Sequence, residues 1–150
     1  VRNKFLNPEE FISLFKNIHA EIKNLISIDL YANCSEDTFG EIKDLADGIH
    51  LTSDRLMSLN KKKYNKSYGA SCHNLEEILA ANELLFDYCF LGPVKKNIYK
   101  KNFIGWDKFN EMSLVSNISV YALGGLTLND LPDAIDNNAD GIASISTFTN

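Results

Sequence analysis

The chain has 150 residues, of which 45% are hydrophobic, and its formal net charge is −5. This length and apolar fraction suit one globular domain with a substantial core. The acidic balance argues against the broad basic face that nucleic-acid binding requires. No apolar run reaches the ~18 residues of a membrane span.

The start of the chain lacks the charged, apolar and small-residue regions of a secretory signal, which favours a cytoplasmic protein. Cys34, Cys72 and Cys89 are an odd number without CxxC spacing. Their pattern predicts buried thiols rather than disulfides or zinc ligands. The first residue is valine, and we expect further residues before it in a longer polypeptide.

The predicted elements alternate between helices and apolar strands. The first segment begins with Asn7 as N-cap and Pro8 at the first helical position, and its apolar residues recur at helical spacing. Helices are predicted over residues 7–25, 74–85 and 127–138. Strands are predicted over residues 25–33, 47–51, 67–71, 87–94, 118–125 and 140–146.

Several of these strands are apolar almost throughout, which predicts a parallel sheet buried on both faces. Alternating strands and helices form either a doubly wound sheet or a (β/α)8 barrel. A doubly wound nucleotide domain has its glycine-rich turn after the first strand. Here Gly124 and Gly125 follow a late strand, where barrels commonly bind phosphate. The pattern therefore favours an α/β TIM barrel over residues 1–150.

A complete barrel normally needs ~200 residues or more. Strand 1, helix 1 and most of strand 2 of the barrel are therefore expected to be missing from this chain. Two lysine-rich segments, residues 60–66 and 95–102, are most simply solvated loops. The second follows the carboxyl end of a predicted strand, so contact with an anionic substrate is its alternative role.

Six short segments occur in an order typical of one family. They are VRNK (1–4), ADGIHLTS (46–53), ASCHNLEEILAA (70–81), FLGPV (90–94), VYALGGL (120–126) and ADGIASIS (139–146). In order and spacing they resemble the thiamine phosphate synthase/TenI superfamily of TIM barrels. Some of these motifs are similar to those of the TenI-like domain that follows a Nudix hydrolase domain in some bacterial proteins. The resemblance implies a phosphorylated small-molecule ligand, with a fused Nudix domain or a homo-oligomer as further partners.

The resemblance implies a phosphate site formed by two loops. Adjacent glycines leave backbone N–H groups uncovered, so a phosphate can approach Gly124 and Gly125. The second loop contains Ile145 and Ser146. In the family these loops hold the phosphate of a thiazole phosphate or of thiamine phosphate. A tight turn at the barrel rim is the structural alternative for the glycines.

Basic and hydroxyl side chains match the family's pyrophosphate site. Arg2 and Lys4 correspond to a basic pair that grips the pyrophosphate of the pyrimidine substrate. Because alternate residues of a strand face one side, both are expected to point into the barrel mouth. The resemblance also implies that Ser71 contacts the pyrophosphate. Lys100 corresponds to the lysine of the family's TxTK loop.

The family's magnesium site is altered in this sequence. Asn33 matches the asparagine of the family's Asn-Asp pair, but the aspartate position is Cys34. The second magnesium aspartate falls on Arg55. Since Mg²⁺ prefers hard oxygen ligands, no metal-ligating residue is predicted. Whether the protein uses Mg²⁺ as a cofactor stays an open question of the sequence.

Two functions stay open at this point. His50 and His73 lie in family motifs, although a histidine among apolar strand residues is usually a structural group. Pro93 stands where the tautomerase branch of the family has its histidine. One function is a thiamine phosphate synthase, which joins a pyrimidine pyrophosphate to a thiazole phosphate. The other is a TenI-like module that binds a phosphorylated ligand without synthase activity.

Overall fold

The computed structural model describes residues 1–24, 28–96 and 102–144. Its strands are β1 (Tyr31–Ala32), β2 (Gly48–Leu51), β3 (Ser67–Cys72), β4 (Tyr88–Leu91), β5 (Ser119–Leu123) and β6 (Gly141–Ala143). Its helices are α1 (Pro8–Ile22), α2 (Glu36–Gly40), α3 (Ser53–Met57), α4 (Leu75–Glu83), α5 (Gly105–Ser113) and α6 (Leu131–Asp136), with a 3-10 turn at Leu128–Asp130. The six strands form one sheet in sequential order, and every neighbouring pair is parallel. The predicted parallel α/β alternation is confirmed.

Capping side chains set the starts of the two longest predicted helices. The Asn7 side chain accepts a hydrogen bond from the Glu10 N–H at 2.9 Å, and the Glu10 carboxylate accepts one from the Asn7 N–H at 3.0 Å. This reciprocal capping box begins α1 as predicted. Asn74 caps α4 in a similar way by accepting from the Glu77 N–H at 3.0 Å.

Several strands are shorter than the sequence predicts. β2 begins at Gly48 rather than at residue 47, and β4 covers Tyr88–Leu91 of the predicted 87–94. Within residues 28–33, the described part of the predicted 25–33, β1 covers Tyr31 and Ala32, and the Leu30 N–H before it donates to the Asp47 carboxylate at 2.7 Å. β5 ends at Leu123, before two glycines with positive φ. β6 is described over Gly141–Ala143, and the rest of its predicted range from residue 145 lies outside the described residues.

The lysine-rich segment at 60–66 is a loop with four exposed residues, as the sequence predicts, and two of its lysines also contact neighbouring loops. Lys62 donates from Nζ to the Leu85 carbonyl at 2.5 Å, and Lys66 donates to the Ala46 carbonyl at 2.9 Å. These contacts hold the loop before β3 against the loops that precede β4 and β2. In the segment at 95–102, residues 97–101 lie outside the described part of the chain.

The core lies between the outer face of the sheet and the helices. Side chains on β2 to β5 alternate, so that one set is buried against the helices and the other faces inward. Fully buried outer residues include Ile49, Leu51, Cys72, Cys89, Leu91 and Ala122, which belong to the same core as Phe15, Phe39, Ile78 and Phe109. Cys34, Cys72 and Cys89 are buried free thiols, as predicted. No helix in the described ranges is long and apolar enough to cross a membrane.

The sheet curls around its inner face. The rings of Tyr31 on β1 and Tyr88 on β4 extend toward each other over the two strands between them, and their centroids lie 5.7 Å apart. Val1 extends the sheet beyond β1, since the Asn33 N–H donates to the Val1 carbonyl at 2.8 Å. The described part of the chain is therefore a partial barrel with its concave side toward the inner side chains.

Candidate active site

A cavity of about 650 Å³ occupies the concave side of the sheet. All six strands contribute to its lining, and four of the contributing side chains are aromatic: Tyr31, Tyr88, Phe90 and Tyr121. Arg2, Asn33 and Ser71 add polar groups, and no described carboxylate lines the cavity. A cavity of this size with few polar groups is typical of a small-molecule site.

Two glycines on the inner face let tyrosine rings cross neighbouring strands. Gly69 lies between β2 and β4, and a Cβ there would lie 2.0 Å from the Tyr88 ring. A Cβ at Gly48 would lie 2.2 Å from the Tyr31 ring. Because residue 69 lacks a side chain, the Tyr88 hydroxyl reaches His50 Nδ1 at 3.1 Å on β2, two strands away.

His50 links the aromatic wall to the polar part of the cavity. Its Nε2 lies 2.9 Å from Ser71 Oγ, and its ring lies 4.7 Å from that of Phe90 between centroids, at an interplanar angle of 33°. Burial, with a smaller contribution from the positive charge of Arg2, lowers the pKa of His50 to about 4. The imidazole is therefore neutral at pH 7, so one ring nitrogen donates a hydrogen bond while the other accepts one.

His50 is thus buried and also lines the cavity. The sequence pattern alone favoured a purely structural role and did not indicate this position in the cavity. The available signal was its motif, HLTS, at the carboxyl end of a predicted strand. His73 differs, because its ring Nδ1 lies 3.1 Å from Glu77 in the first turn of α4. His73 does not line the cavity.

The two predicted basic residues of the first segment separate in the structure. Only Val1 of residues 1–4 pairs with β1, so Arg2 and Lys4 do not share a strand and strand alternation does not place them on one side. Arg2 lines the cavity, together with Asn33 and Ser71. Lys4 is exposed and does not line it. The expectation that both point into the mouth is therefore wrong for Lys4.

The loop at Gly124 and Gly125 packs against the loop that follows β4. Their φ values are 101° and 70°, in the left-handed region that favours glycine. A Cβ at Gly124 would lie 2.5 Å from Pro93 Cβ, and one at Gly125 would lie 3.0 Å from the Lys95 carbonyl oxygen. The tight-turn interpretation thus has direct structural support, and the phosphate contact of these glycines stays a prediction.

The described residue just before the second predicted phosphate loop contacts the first loop. Ser144, which ends the described chain, donates from Oγ to the Leu126 carbonyl at 3.1 Å. Leu123 and Ser144 both line the cavity, so the loops after β5 and β6 leave the sheet at the same end. Ile145, Ser146 and Lys100 lie outside the described residues.

The side chains at the two magnesium positions do not suit a hard cation. Burial raises the pKa of the Cys34 thiol to about 11, although the positive charge of Arg55 opposes this shift. The thiol is therefore protonated at pH 7, and the second position carries a cation. In the described ranges no three or more His, Cys, Asp or Glu side chains are grouped to hold a metal ion. This donor set does not fit Mg²⁺.

Comparisons with known proteins agree with this geometry. A sequence model described as thiamine monophosphate synthase matches residues 1–148. A protein of Aquifex aeolicus whose name places it among the thiamine-phosphate synthases is 32% identical over 99% of this chain and 80% of its own length. A thiamine-phosphate synthase of Methanosarcina mazei is 32% identical over 67% of this chain and 45% of its own length.

The fold has a counterpart among solved structures. A thiamine phosphate pyrophosphorylase from Pyrococcus furiosus superposes with a TM-score of 0.74 at 23% identity, and the match covers 97% of this chain and 70% of that one. That likeness shows a common fold, and the sequence match over nearly the whole chain shows common descent. The chain belongs to the thiamine monophosphate synthase family.

Proposed function

We propose that the protein is a thiamine phosphate synthase, which joins a pyrimidine pyrophosphate to a thiazole phosphate. One observation carries the proposal: Arg2, Asn33 and Ser71, three positions that match substrate contacts of the family, line the same cavity. They come from the first segment, the end of β1 and β3, so their convergence depends on the fold. The cavity also provides aromatic surface for two heterocyclic rings.

The proposed reaction breaks one bond and forms another. The C–O bond between the pyrimidine methylene and the pyrophosphate breaks, and pyrophosphate leaves with the electron pair. The thiazole nitrogen then donates its lone pair to the methylene carbon and forms the new C–N bond. Positive side chains assist the first step, because they stabilise the negative charge that develops on the leaving group.

Each part of the cavity has a role in this proposal. Arg2 binds the pyrophosphate as a fixed cation, and the Ser71 hydroxyl, held by His50, donates a hydrogen bond to it. The rings of Tyr88 and Phe90 face the cavity, where an aromatic π-system stabilises a developing carbocation. The loop at Gly124 and Gly125, with Ile145 and Ser146, is assigned to the thiazole phosphate.

The proposal includes a closed TIM barrel around the cavity. The inner side chains Tyr31, Phe90 and Tyr121 are only half-buried in the described six-stranded sheet. Further strands between its two edges would cover them, as in other barrels of parallel strands. Lys100 as a second pyrophosphate contact, a fused Nudix domain, a homo-oligomer and a cytoplasmic location stay predictions.

A second function is favoured by one specific observation. Cys34 and Arg55 stand at the positions that match the family's two magnesium aspartates. A protein with this altered site could bind a phosphorylated thiazole or thiamine phosphate without catalysing the coupling. The alternative is therefore a phosphate-ligand-binding module of the same fold.

A coupled assay separates the two functions. The full-length protein is incubated with the pyrimidine pyrophosphate and the thiazole phosphate, with and without Mg²⁺, and thiamine phosphate and pyrophosphate are measured. A synthase forms both products in equal amounts, and Ser71→Ala lowers the rate by about tenfold or more. Lys61→Gln is the control, because Lys61 is exposed before β3, at the opposite end of the sheet.

The absence of product at high protein concentration would exclude the synthase. Binding of thiamine phosphate by calorimetry under the same conditions would then support the module. Failure of every phosphorylated ligand to bind would contradict both functions.

A further inference from the structure

Both arginines of the chain lie at the carboxyl end of the sheet, and every other permanently basic side chain is a lysine. Arg2 lines the main cavity. Arg55, on α3, lines a smaller hollow of about 200 Å³ together with Ser35 and Leu51. Ser35 lies two residues after the cavity residue Asn33, and Leu51 follows His50, so the hollow lies beside the carboxyl ends of β1 and β2, although it shares no lining residue with the cavity.

Arg55 lies near Cys34, because it lines the same hollow as Ser35, the next residue after Cys34. Its positive charge opposes the rise that burial causes in the pKa of the Cys34 thiol. Cys34 follows β1 and Arg55 follows β2, its parallel neighbour. The two positions that match magnesium aspartates thus adjoin one another here as a neutral thiol and a fixed cation.

The charges of Arg2 and Arg55 are not neutralised within the described residues. The ion pairs found there are Lys63 with Asp37, His73 with Glu77, and Lys95 with Asp130. None of these pairs includes an arginine. Neither guanidinium group therefore has an ion-pair partner among the described residues.

Two carboxylates line the same hollow as Arg55, but other donors already hold them. Asp37 pairs with Lys63 Nζ at 2.8 Å. Glu36 accepts hydrogen bonds from the Tyr68 hydroxyl and, at 2.9 Å, from the Lys63 N–H. Neither carboxylate has its principal contact with Arg55.

We propose that Arg55, together with Arg2, takes the place of a divalent metal, so that the protein binds the pyrophosphate group of its ligand without Mg²⁺. Two guanidinium groups carry the same total charge as one Mg²⁺ ion. Each also presents a planar fork of donors that matches two phosphate oxygens. This assignment rests on the proposed function, because that function supplies the pyrophosphate ligand.

Calorimetry with inorganic pyrophosphate tests the assignment on the full-length protein, first in EDTA and then in excess Mg²⁺. We expect binding in EDTA, with a Kd that Mg²⁺ improves by less than about threefold. Arg55→Gln is expected to weaken binding in EDTA by about tenfold or more, since a charged bidentate contact is lost. Lys61→Gln, an equal loss of charge at the other end of the sheet, is expected to bind as the wild type does.

A variant designed to gain a Mg²⁺ requirement provides a second test of the same assignment. The double variant Cys34→Asp with Arg55→Asp supplies oxygen ligands at both positions, so its pyrophosphate binding is expected to become Mg²⁺-dependent. Circular dichroism confirms that each variant is folded before titration. If Arg55→Gln does not fold, Arg55→Lys replaces it, with the loss expected to be smaller because lysine keeps the charge but lacks the fork.

The outcomes separate this assignment from the proposed function. Binding of pyrophosphate by the wild type only in Mg²⁺, or equal binding by the wild type and Arg55→Gln, would overturn the role of Arg55 and leave the proposed function standing. An equal loss in Lys61→Gln would show a nonspecific charge effect and overturn it as well. Failure of pyrophosphate and thiamine phosphate to bind under either condition would contradict both.

Discussion

At the scale of single residues, the shape of the cavity depends on the absence of a side chain at Gly69. The Tyr88 ring crosses this position to reach His50, and a Cβ at residue 69 would lie 2.0 Å from the ring. We expect Gly69→Ala to lower the free energy of unfolding by about 2 kcal/mol or more, because the ring must move. Urea denaturation measures this change.

A double-variant cycle tests the physical cause of that loss. If the clash is with the ring, Gly69→Ala lowers the free energy of unfolding much less in a Tyr88→Ala background, where the ring is absent. Equal costs in both backgrounds would show that Tyr88 is not what Gly69 accommodates.

The pKa of His50 makes stability depend on pH. In the folded protein it is lowered from 6.5 to about 4, chiefly by burial. Between these pH values the unfolded chain binds a proton that the folded protein does not, so stability falls as the pH falls from about 6.5 to about 4. At ~1.4 kcal/mol for each pKa unit, the loss reaches about 3 kcal/mol at the acid end of this window.

His50→Gln is expected to remove this contribution. Its free energy of unfolding, measured in urea at pH 7 and at pH 5, should fall less toward pH 5 than that of the wild type. The other two histidines, His19 and His73, are present in both proteins and provide the internal control. An equal fall in both proteins would show that His50 is protonated in the folded state.

Sequence reasoning found part of the cavity and missed its aromatic wall. Arg2, Asn33 and Ser71 match family motifs, and the structure brings them together. Tyr88 and Phe90 belong to a strand that reads as apolar on both faces, so no periodicity distinguishes their inward side chains from the outward Cys89 and Leu91. Only the observed register shows which set faces the ligand.

At the scale of elements, the loops after β4 and β5 support each other. The Val94 N–H donates to the Leu123 carbonyl at 2.8 Å, and the Lys95 N–H donates to that of Gly124 at 3.0 Å. Lys95 Nζ also pairs with Asp130 at 2.5 Å, beyond the glycines. The rim around the proposed phosphate site is therefore held by contacts within the protein.

Gly124→Ala tests how tightly this rim is packed. The substitution combines an unfavourable φ of 101° with a Cβ placed 2.5 Å from Pro93 Cβ. We expect a loss of about 2 kcal/mol or more in the free energy of unfolding, measured in urea.

Gly105→Ala is the matched control, because its φ is 75° but no atom lies within 4 Å of the added Cβ. It should cost only the backbone strain, about 1 kcal/mol. A cost at Gly124 no larger than that at Gly105 would contradict close packing of the two loops.

The elements differ in how far their sequences predict them. Helices α1 and α4 carry side-chain caps, Asn7 and Asn74, that mark their starts. Helices α2 and α3 are five residues each, too short for a clear apolar periodicity, and α5 starts at Gly105 without a capping side chain. These three helices were not predicted for that reason.

At the scale of the whole molecule, the order of strands and helices predicts a parallel sheet, and the described chain confirms it. Curvature is not predictable residue by residue, since it depends on how neighbouring strands twist and pair with one another. Rings on β1, β4 and β5 meet around Tyr88. The resulting concave face places groups distant in sequence, Arg2 and Ser144 among them, around one cavity.

The central claim is that this cavity recognises the phosphate group of a thiamine-pathway ligand. Calorimetric titration of the full-length protein with thiamine phosphate and, separately, with thiamine tests it most directly. The two ligands differ only in the phosphate. We predict that thiamine phosphate binds at least about tenfold more tightly, a difference of about 1.4 kcal/mol, and that Arg2→Gln, at the site proposed for the pyrophosphate, keeps most of that difference. Equal affinity for the two ligands, or no binding of thiamine phosphate, would contradict it.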